Sequence, residues 1–223
     1  MEHNDMYTKL SVLIPVYNEK KTIRKCVENV LNADTYGMEL EVIISDNNSD
    51  DGTKEILNSF TDNRIKVLFK DKNTGKGANI KNALASATGQ IILFQDADLE
   101  YSPKDYTDLL KPFFKLNADV VYGSRFLGGG KYVRIHFFWH YVANKILTLL
   151  CNMIANLNLT DMETGYKLFR YEKIKDLKIK EKSFGFEPEI TAKISKMDLR
   201  IYEIGISYYG RTYAEGKKIG WKD

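Results

Sequence analysis

The chain has 223 residues, 43% hydrophobic and 28% charged, with 33 basic against 30 acidic side chains and a net charge of +3. That balance excludes an intrinsically disordered or collagen-like chain, and the near-cancelled charge argues against nucleic-acid binding driven by bulk electrostatics. At this length a single domain over residues 1–223 is expected, with enough chain to bury a core without disulfides or a structural metal. Cys26 and Cys151 fit a reducing compartment as buried small residues, and His3, His136 and His140 form no zinc-type spacing with them. The first ten residues carry no signal-peptide pattern, and no stretch is apolar over the roughly 18 residues of a spanning helix. A cytoplasmic protein is expected.

In chain order, residues 10–16 are a nearly continuous apolar run through Pro15 and Val16, the pattern of a buried parallel strand. Residues 20–31 set Ile23, Cys26, Val27, Val30 and Leu31 on one helical face. A second strand over 40–45 is followed by Asp46 to Gly52, dense in turn and cap residues. A short helix over 54–60, a strand over 65–69, a helix over 76–87 and a strand over 91–95 lead into Asp96-Ala97-Asp98. Pro103 opens the next helix in its first turn, where a missing N–H is harmless, and residues 119–123 make a fifth strand. After Gly128-Gly129-Gly130 the pattern changes. Residues 135–157 are long and strongly apolar, interrupted by His140, Asn144, Lys145, Asn152 and Asn156. Residues 161–170 read as a polar loop, 187–196 as a helix and 200–207 as a last strand, so 126–223 elaborates the same domain.

Repeated strand–helix units predict an α/β fold with a mostly parallel central sheet and helices on both faces. Ligands of such sheets sit beyond the carboxyl ends of the strands. Tyr17-Asn18-Glu19, Asp46, Asp96, Asp98, Ser124 and Arg125 all fall there. Two carboxylates one residue apart at a strand end are hard oxygen ligands suited to magnesium or manganese. Arg125, with Arg211, Lys217 and Lys218 in a glycine-punctuated tail, supplies cations that can close on a diphosphate. The phosphate loop of a P-loop kinase is absent, because Asn73-Thr74-Gly75-Lys76-Gly77 is too short, and no Gly-x-Gly-x-x-Gly follows the first strand.

Taken in order, the following segments resemble the family 2 glycosyltransferases, in particular the dolichol-phosphate mannose and glucose synthase group: Ser11 to Glu19, Asp46 to Thr53, Gly75-Lys76-Gly77, Asp96-Ala97-Asp98-Leu99, Gly123-Ser124-Arg125, Asp161 to Lys167, Gly185-Phe186-Glu187 and the tail from Arg211 to Lys218. The resemblance spans nearly the whole chain and implies a GT-A (Rossmann-like) fold that transfers a sugar from a nucleoside-diphosphate sugar. It implies that Pro15, Tyr17, Glu19 and Asp46 hold the base and ribose, with Lys76 and Ala97 also on the nucleotide-sugar side. Asp96 and Asp98 would bridge Mg2+ or Mn2+ to the diphosphate, with Glu100 a candidate third metal ligand. Arg125, Arg211 and Lys217 would surround the diphosphate or the acceptor phosphate, and residues 161–166 would line the acceptor side. Asn47 stands where relatives often carry a second aspartate, which leaves GDP-mannose and a UDP-hexose both open as donor.

The expected reaction is a single inverting displacement in which charge builds on the leaving diphosphate. The expected acceptor is a polyprenyl (dolichyl-type) phosphate, already an anion, oriented by Arg125 or Arg134. A hydroxyl acceptor, as in cell-surface polysaccharide synthesis, would instead need a carboxylate base, with Asp161, Glu163 and Glu187 the candidates. Residues 135–157 have two readings: a helix packed on the sheet or on a partner subunit, or one whose Phe137, Phe138, Trp139 and Tyr141 meet the cytoplasmic face of a membrane. A sugar-phosphate nucleotidyltransferase would want a glycine-rich loop where Tyr17-Asn18-Glu19 stands. A non-catalytic nucleotide-sugar-binding module need not keep Asp96, Asp98, Arg125 and Arg211 together.

Overall fold

The computed structural model describes residues 7–128, 134 and 137–212. Among them the strands are β1 (Lys9–Val16), β2 (Glu39–Asp46), β3 (Ile65–Phe69), β4 (Ile91–Phe94), β5 (Val120–Ser124), β6 (Lys167–Arg170) and β7 (Ile201–Gly205). They form one sheet in the order β3-β2-β1-β4-β6-β5-β7. β1 is parallel to β2 and β4, β2 to β3, and β5 to β7.

Both faces of the sheet are covered. Leu10, Val12, Ile14 and Val16 of β1 join the core beneath α1 (Ile23–Leu31), α2 (Thr53–Asn58) and α4 (Tyr106–Lys115). Leu13, Ile43, Ile92 and Phe94 point the other way, against α3 (Lys76–Leu84), α5 (Phe138–Ala155) and α7 (Phe186–Ile194). Burial on two faces is why β1, β2 and β4 carry consecutive apolar residues, Val12-Leu13-Ile14, Val42-Ile43-Ile44 and Ile91–Phe94, instead of strict alternation. The α/β architecture expected from the sequence is the one observed, and both cysteines are buried as expected.

One expectation is corrected. Residues 161–170 are not wholly a loop: Lys167–Arg170 is strand β6, antiparallel to both β4 and β5. Four residues with lysine and arginine at their ends leave Leu168 and Phe169 as the whole apolar signal, too little for a periodicity to register. The consequence is functional. Because β6 runs backwards, its amino end lies at the edge where the parallel strands end, and the loop before it, residues 161–166, is delivered to the same rim as Asp96 and Arg125. A short helix, α6 (Tyr171–Ile174), follows directly.

Candidate active site

The rim at the carboxyl ends of β1, β2 and β4 is stitched from loops that bond one another. Asn18, in the left-handed conformation, donates its backbone N–H to Ser49 Oγ (2.9 Å) and its side-chain amide to Asp50 (2.8 Å). Glu19 caps α1 through its carbonyl, which accepts from the Thr22 and Ile23 amides, and its carboxylate accepts from Thr22 Oγ1 at 2.7 Å. Asp46 is fully buried and accepts from both the amide (3.0 Å) and hydroxyl (2.5 Å) of Ser49, closing the turn after β2. Asn47 donates to Asn73 Oδ1 and accepts from the Thr74 amide, tying this turn to the one that carries Lys76. Tyr17 is exposed at the mouth, and Pro15 pairs with Ser45 in register. Of the residues expected around the nucleotide, Pro15, Tyr17, Glu19 and Asp46 lie on these strand ends and loops, while Lys76 and Ala97 stand at the centre with the aspartates.

At the centre stand the two aspartates. Lys76 Nζ lies 2.9 Å from Asp96 Oδ1, and Arg211 Nη2 lies 2.9 Å from Asp98 Oδ2. Ala97 between them is buried, and the Asp96 carbonyl accepts from Nε2 of Gln95 (2.8 Å), whose Oε1 takes the hydroxyls of Tyr106 and Tyr166 at 2.8 Å each. Burial, then the negative charges of Asp96 and Glu100, push the Asp98 carboxyl up to about 7 against the pull of Arg211. A hard dication would relieve that crowding of like charge, so the donor set fits Mg2+ or Mn2+. Among the described residues no three His, Cys, Asp or Glu side chains form a closed cage. Two carboxylates plus substrate oxygens and water are a sufficient shell for such an ion.

Glu100 has another employment. Its Oε1 accepts from the Arg211 amide and Nε (3.0 Å each) and its Oε2 from Tyr208 Oη (2.5 Å), while its carbonyl accepts from the Tyr209 amide at 2.8 Å. The carboxylate anchors residues 208–211 over the aspartates, with Tyr101 and Tyr208 bridged as an isolated antiparallel pair. Arg134 is exposed beside this segment, donating its amide to the Tyr208 carbonyl and Nη1 to that of Gly210. Lys217 and Lys218 lie outside the described residues.

On the adjoining rim, after β5 and before β6, Arg125 and Asp161 bind each other. Asp161 is fully buried, and although burial alone would raise it, the Arg125 charge and hydrogen bonds hold its carboxyl below the ordinary range. Glu187 is also buried, with Lys167 on Oε2 and Lys76 Nζ 3.5 Å from Oε1. Both carboxylates are committed to cations. Glu163 differs: burial raises its carboxyl, Lys167 opposes, and Glu187 adds to the rise.

The polar residues that interrupt α5 turn inward. Lys145 donates to the Thr160 carbonyl (3.0 Å) and lies over the Phe126 ring, Asn152 donates to and accepts from Leu159, and Thr148 Oγ1 bonds Asn144. The outward face is apolar, with Trp139 75%, Met153 72% and Ile154 83% exposed. No helix among the described residues is long and apolar enough to cross a membrane. Ile135 lies outside the described residues.

Three contributors were given no role of their own from the sequence, although Gly165 and Lys167 lie in the Asp161 to Lys167 segment that carries the resemblance. Lys167 is fully buried, Tyr208 supports the Arg211 segment, and Gly165 faces Asp96 so closely that a Cβ there would collide with Oδ2. A lysine inside a short strand and a glycine inside a loop carry no periodic signal; the role of each needs its spatial neighbour.

The chain is 26% identical over 217 residues to the dolichol-phosphate mannosyltransferase of Pyrococcus furiosus, covering 95% of this chain but 60% of that protein. It is 27% identical to the undecaprenyl-phosphate mannosyltransferase of Micrococcus luteus, covering 95% and 88%. Among solved structures, glucosyl-3-phosphoglycerate synthase of Mycobacterium tuberculosis, in complex with Mn2+, UDP and phosphoglyceric acid, superposes with a TM-score of 0.71 at 18% identity, over 93% of this chain and 73% of that one. That likeness shows the shared GT-A fold. The Glycosyl transferase family 2 model matches residues 11–178, a span that holds both aspartates, Arg125 and Asp161, so the chain belongs to the family 2 glycosyltransferases.

Proposed function

We propose that this protein moves a hexosyl unit from a nucleoside-diphosphate sugar, GDP-mannose or a UDP-hexose, to a polyprenyl phosphate with inversion, working at the cytoplasmic face of a membrane. The observation that carries this reading is the meeting of Asp96, Asp98 and Arg211 at the sheet's edge, with Arg125–Asp161 on the adjoining rim. Asp96 and Asp98 would hold a magnesium or manganese ion, which supplies positive charge to the leaving diphosphate. Arg211, carried over the aspartates by Tyr208 and Glu100, adds a bidentate donor to the same charge. Pro15, Tyr17, Glu19 and Asp46 form the wall for base and ribose. Arg134 is the exposed cation for an acceptor phosphate, while Arg125, fixed by Asp161, shapes the rim between them.

The inverted α5 supports a lipid acceptor: its polar side chains bond the protein and its aromatic and aliphatic ones face out, as a helix lying in a membrane interface requires. The M. luteus and P. furiosus relatives are named for polyprenyl-phosphate acceptors. A hydroxyl acceptor is the second reading, favoured by Glu163, whose raised carboxyl suits a general base. A screen of GDP- and UDP-sugars, with polyprenyl phosphate or simple sugars as acceptor and released nucleoside diphosphate as readout, tests both. Release that requires polyprenyl phosphate and Mn2+ or Mg2+, and disappears in Asp98→Ala, is expected. Release equal in Asp98→Ala, or supported by sugars alone, overturns the proposal.

A further inference from the structure

Lys76 sits between two carboxylates, 2.9 Å from Asp96 Oδ1 and 3.5 Å from Glu187 Oε1. Its backbone is pinned. The Ala78 amide donates to the Lys182 carbonyl at 3.1 Å, and Cβ atoms at Gly75 or Gly77 would strike the chain at residues 181–183. The start of α3 is thereby pressed against the segment leading into α7, so Lys76 and Glu187 stay in register while the lysine side chain alone is left to turn. Behind them Lys167, with no solvent exposure, is held by Glu187 Oε2 and by the Thr164 carbonyl. That arrangement leaves Oε1 of Glu187 turned towards Lys76.

A dication on Asp96 and the Lys76 ammonium compete for one carboxylate, and at contact distance the like charges repel. The lysine needs a second anion close enough to reach without moving the backbone. Glu187 is that anion, and being buried between two ammonium groups it is unsuited to the role of base that its sequence position left open.

We infer that Glu187 is a positioning residue that receives Lys76 when Asp96 turns to the metal ion, making Lys76 a resident cation that exchanges between two carboxylates. The inference rests on the metal-dependent reading above. It is tested by titrating Mn2+, followed by electron paramagnetic resonance, into the protein with saturating UDP and separately with GDP. Wild type, Lys76→Met, Glu187→Gln and the double variant are compared, with thermal unfolding as a check on each. Glu187→Gln weakens Mn2+ binding at least fivefold in the Lys76 background, because the displaced lysine has nowhere to go. Lys76→Met binds Mn2+ no more weakly than wild type, and adding Glu187→Gln to it changes nothing. The same loss in both backgrounds would mean that Glu187 acts only as a nearby charge, overturning the inference but not the metal reading. Weaker Mn2+ binding in Lys76→Met also overturns it, and this variant decides alone if Glu187→Gln fails to fold. A wild type that takes up no Mn2+ with either nucleotide overturns both.

Discussion

Asp161 grips Arg125 through paired hydrogen bonds of 2.7 Å, Nε to Oδ2 and Nη2 to Oδ1, and Oδ2 also accepts the Arg125 amide at 3.0 Å. The pair joins the end of β5 to the loop that precedes β6, so it holds two parts of the rim together. Asp161→Asn leaves a nearly buried guanidinium without its counter-charge, a loss of about 3–5 kcal/mol at neutral pH. The folded carboxyl lies below its unfolded value of about 3.9. Its contribution is therefore complete above that pH and is lost as pH falls through the lower folded value. Urea unfolding of wild type and variant should show a constant gap from about pH 8 to pH 5 that narrows below about pH 4; a gap unchanged in acid would contradict the assignment.

Gly165 holds the loop before β6 against Asp96. A Cβ there would meet Asp96 Oδ2 and lie 2.9 Å from the Tyr101 ring, while the Gly165 amide donates to Tyr101 Oη at 2.8 Å. Gly165→Ala should displace the Asp96 carboxylate and lower turnover at least tenfold. The overpacking itself costs about 1–3 kcal/mol, read as a fall in the unfolding midpoint. Unchanged turnover with the protein folded would show that Asp96 tolerates the shift.

The outward face of α5 should govern membrane association. Replacing Trp139, Met153 and Ile154 with serine removes largely exposed apolar groups, Trp139 giving up an edge contact with the neighbouring Phe138 ring, so the fold should survive. Flotation with vesicles of mixed neutral and anionic lipid should recover wild type in the lipid fraction and leave most of the triple variant behind. Equal recovery would assign the face to a protein partner instead.

Much of this was legible because it is local. The apolar runs of β1, β2 and β4, the helical spacing of Ile23, Cys26, Val27 and Val30, and the polar residues after each strand are written in consecutive residues. Asp96 and Asp98 stood out because a strand delivers them, and Arg211 because glycines surround it. β6 was illegible because four residues show no period; what makes Lys167–Arg170 a strand is the hydrogen-bonding edges of β4 and β5 on either side.

The amino-acid order alone determined the α/β layering, the edge at which chemistry gathers and the family of the chain, since these follow from periodicity and motif spacing within short windows. Tertiary structure decided which charge meets which. Glu187 became a partner of two lysines, Glu100 the anchor of Arg211, and Asp161 the holder of Arg125. Likewise the interruptions of α5 turned inward and its apolar residues outward, reversing the usual arrangement. A carboxylate's role depends on the cation a few ångströms away, and residues 20 to 113 positions distant along the chain supply that neighbour.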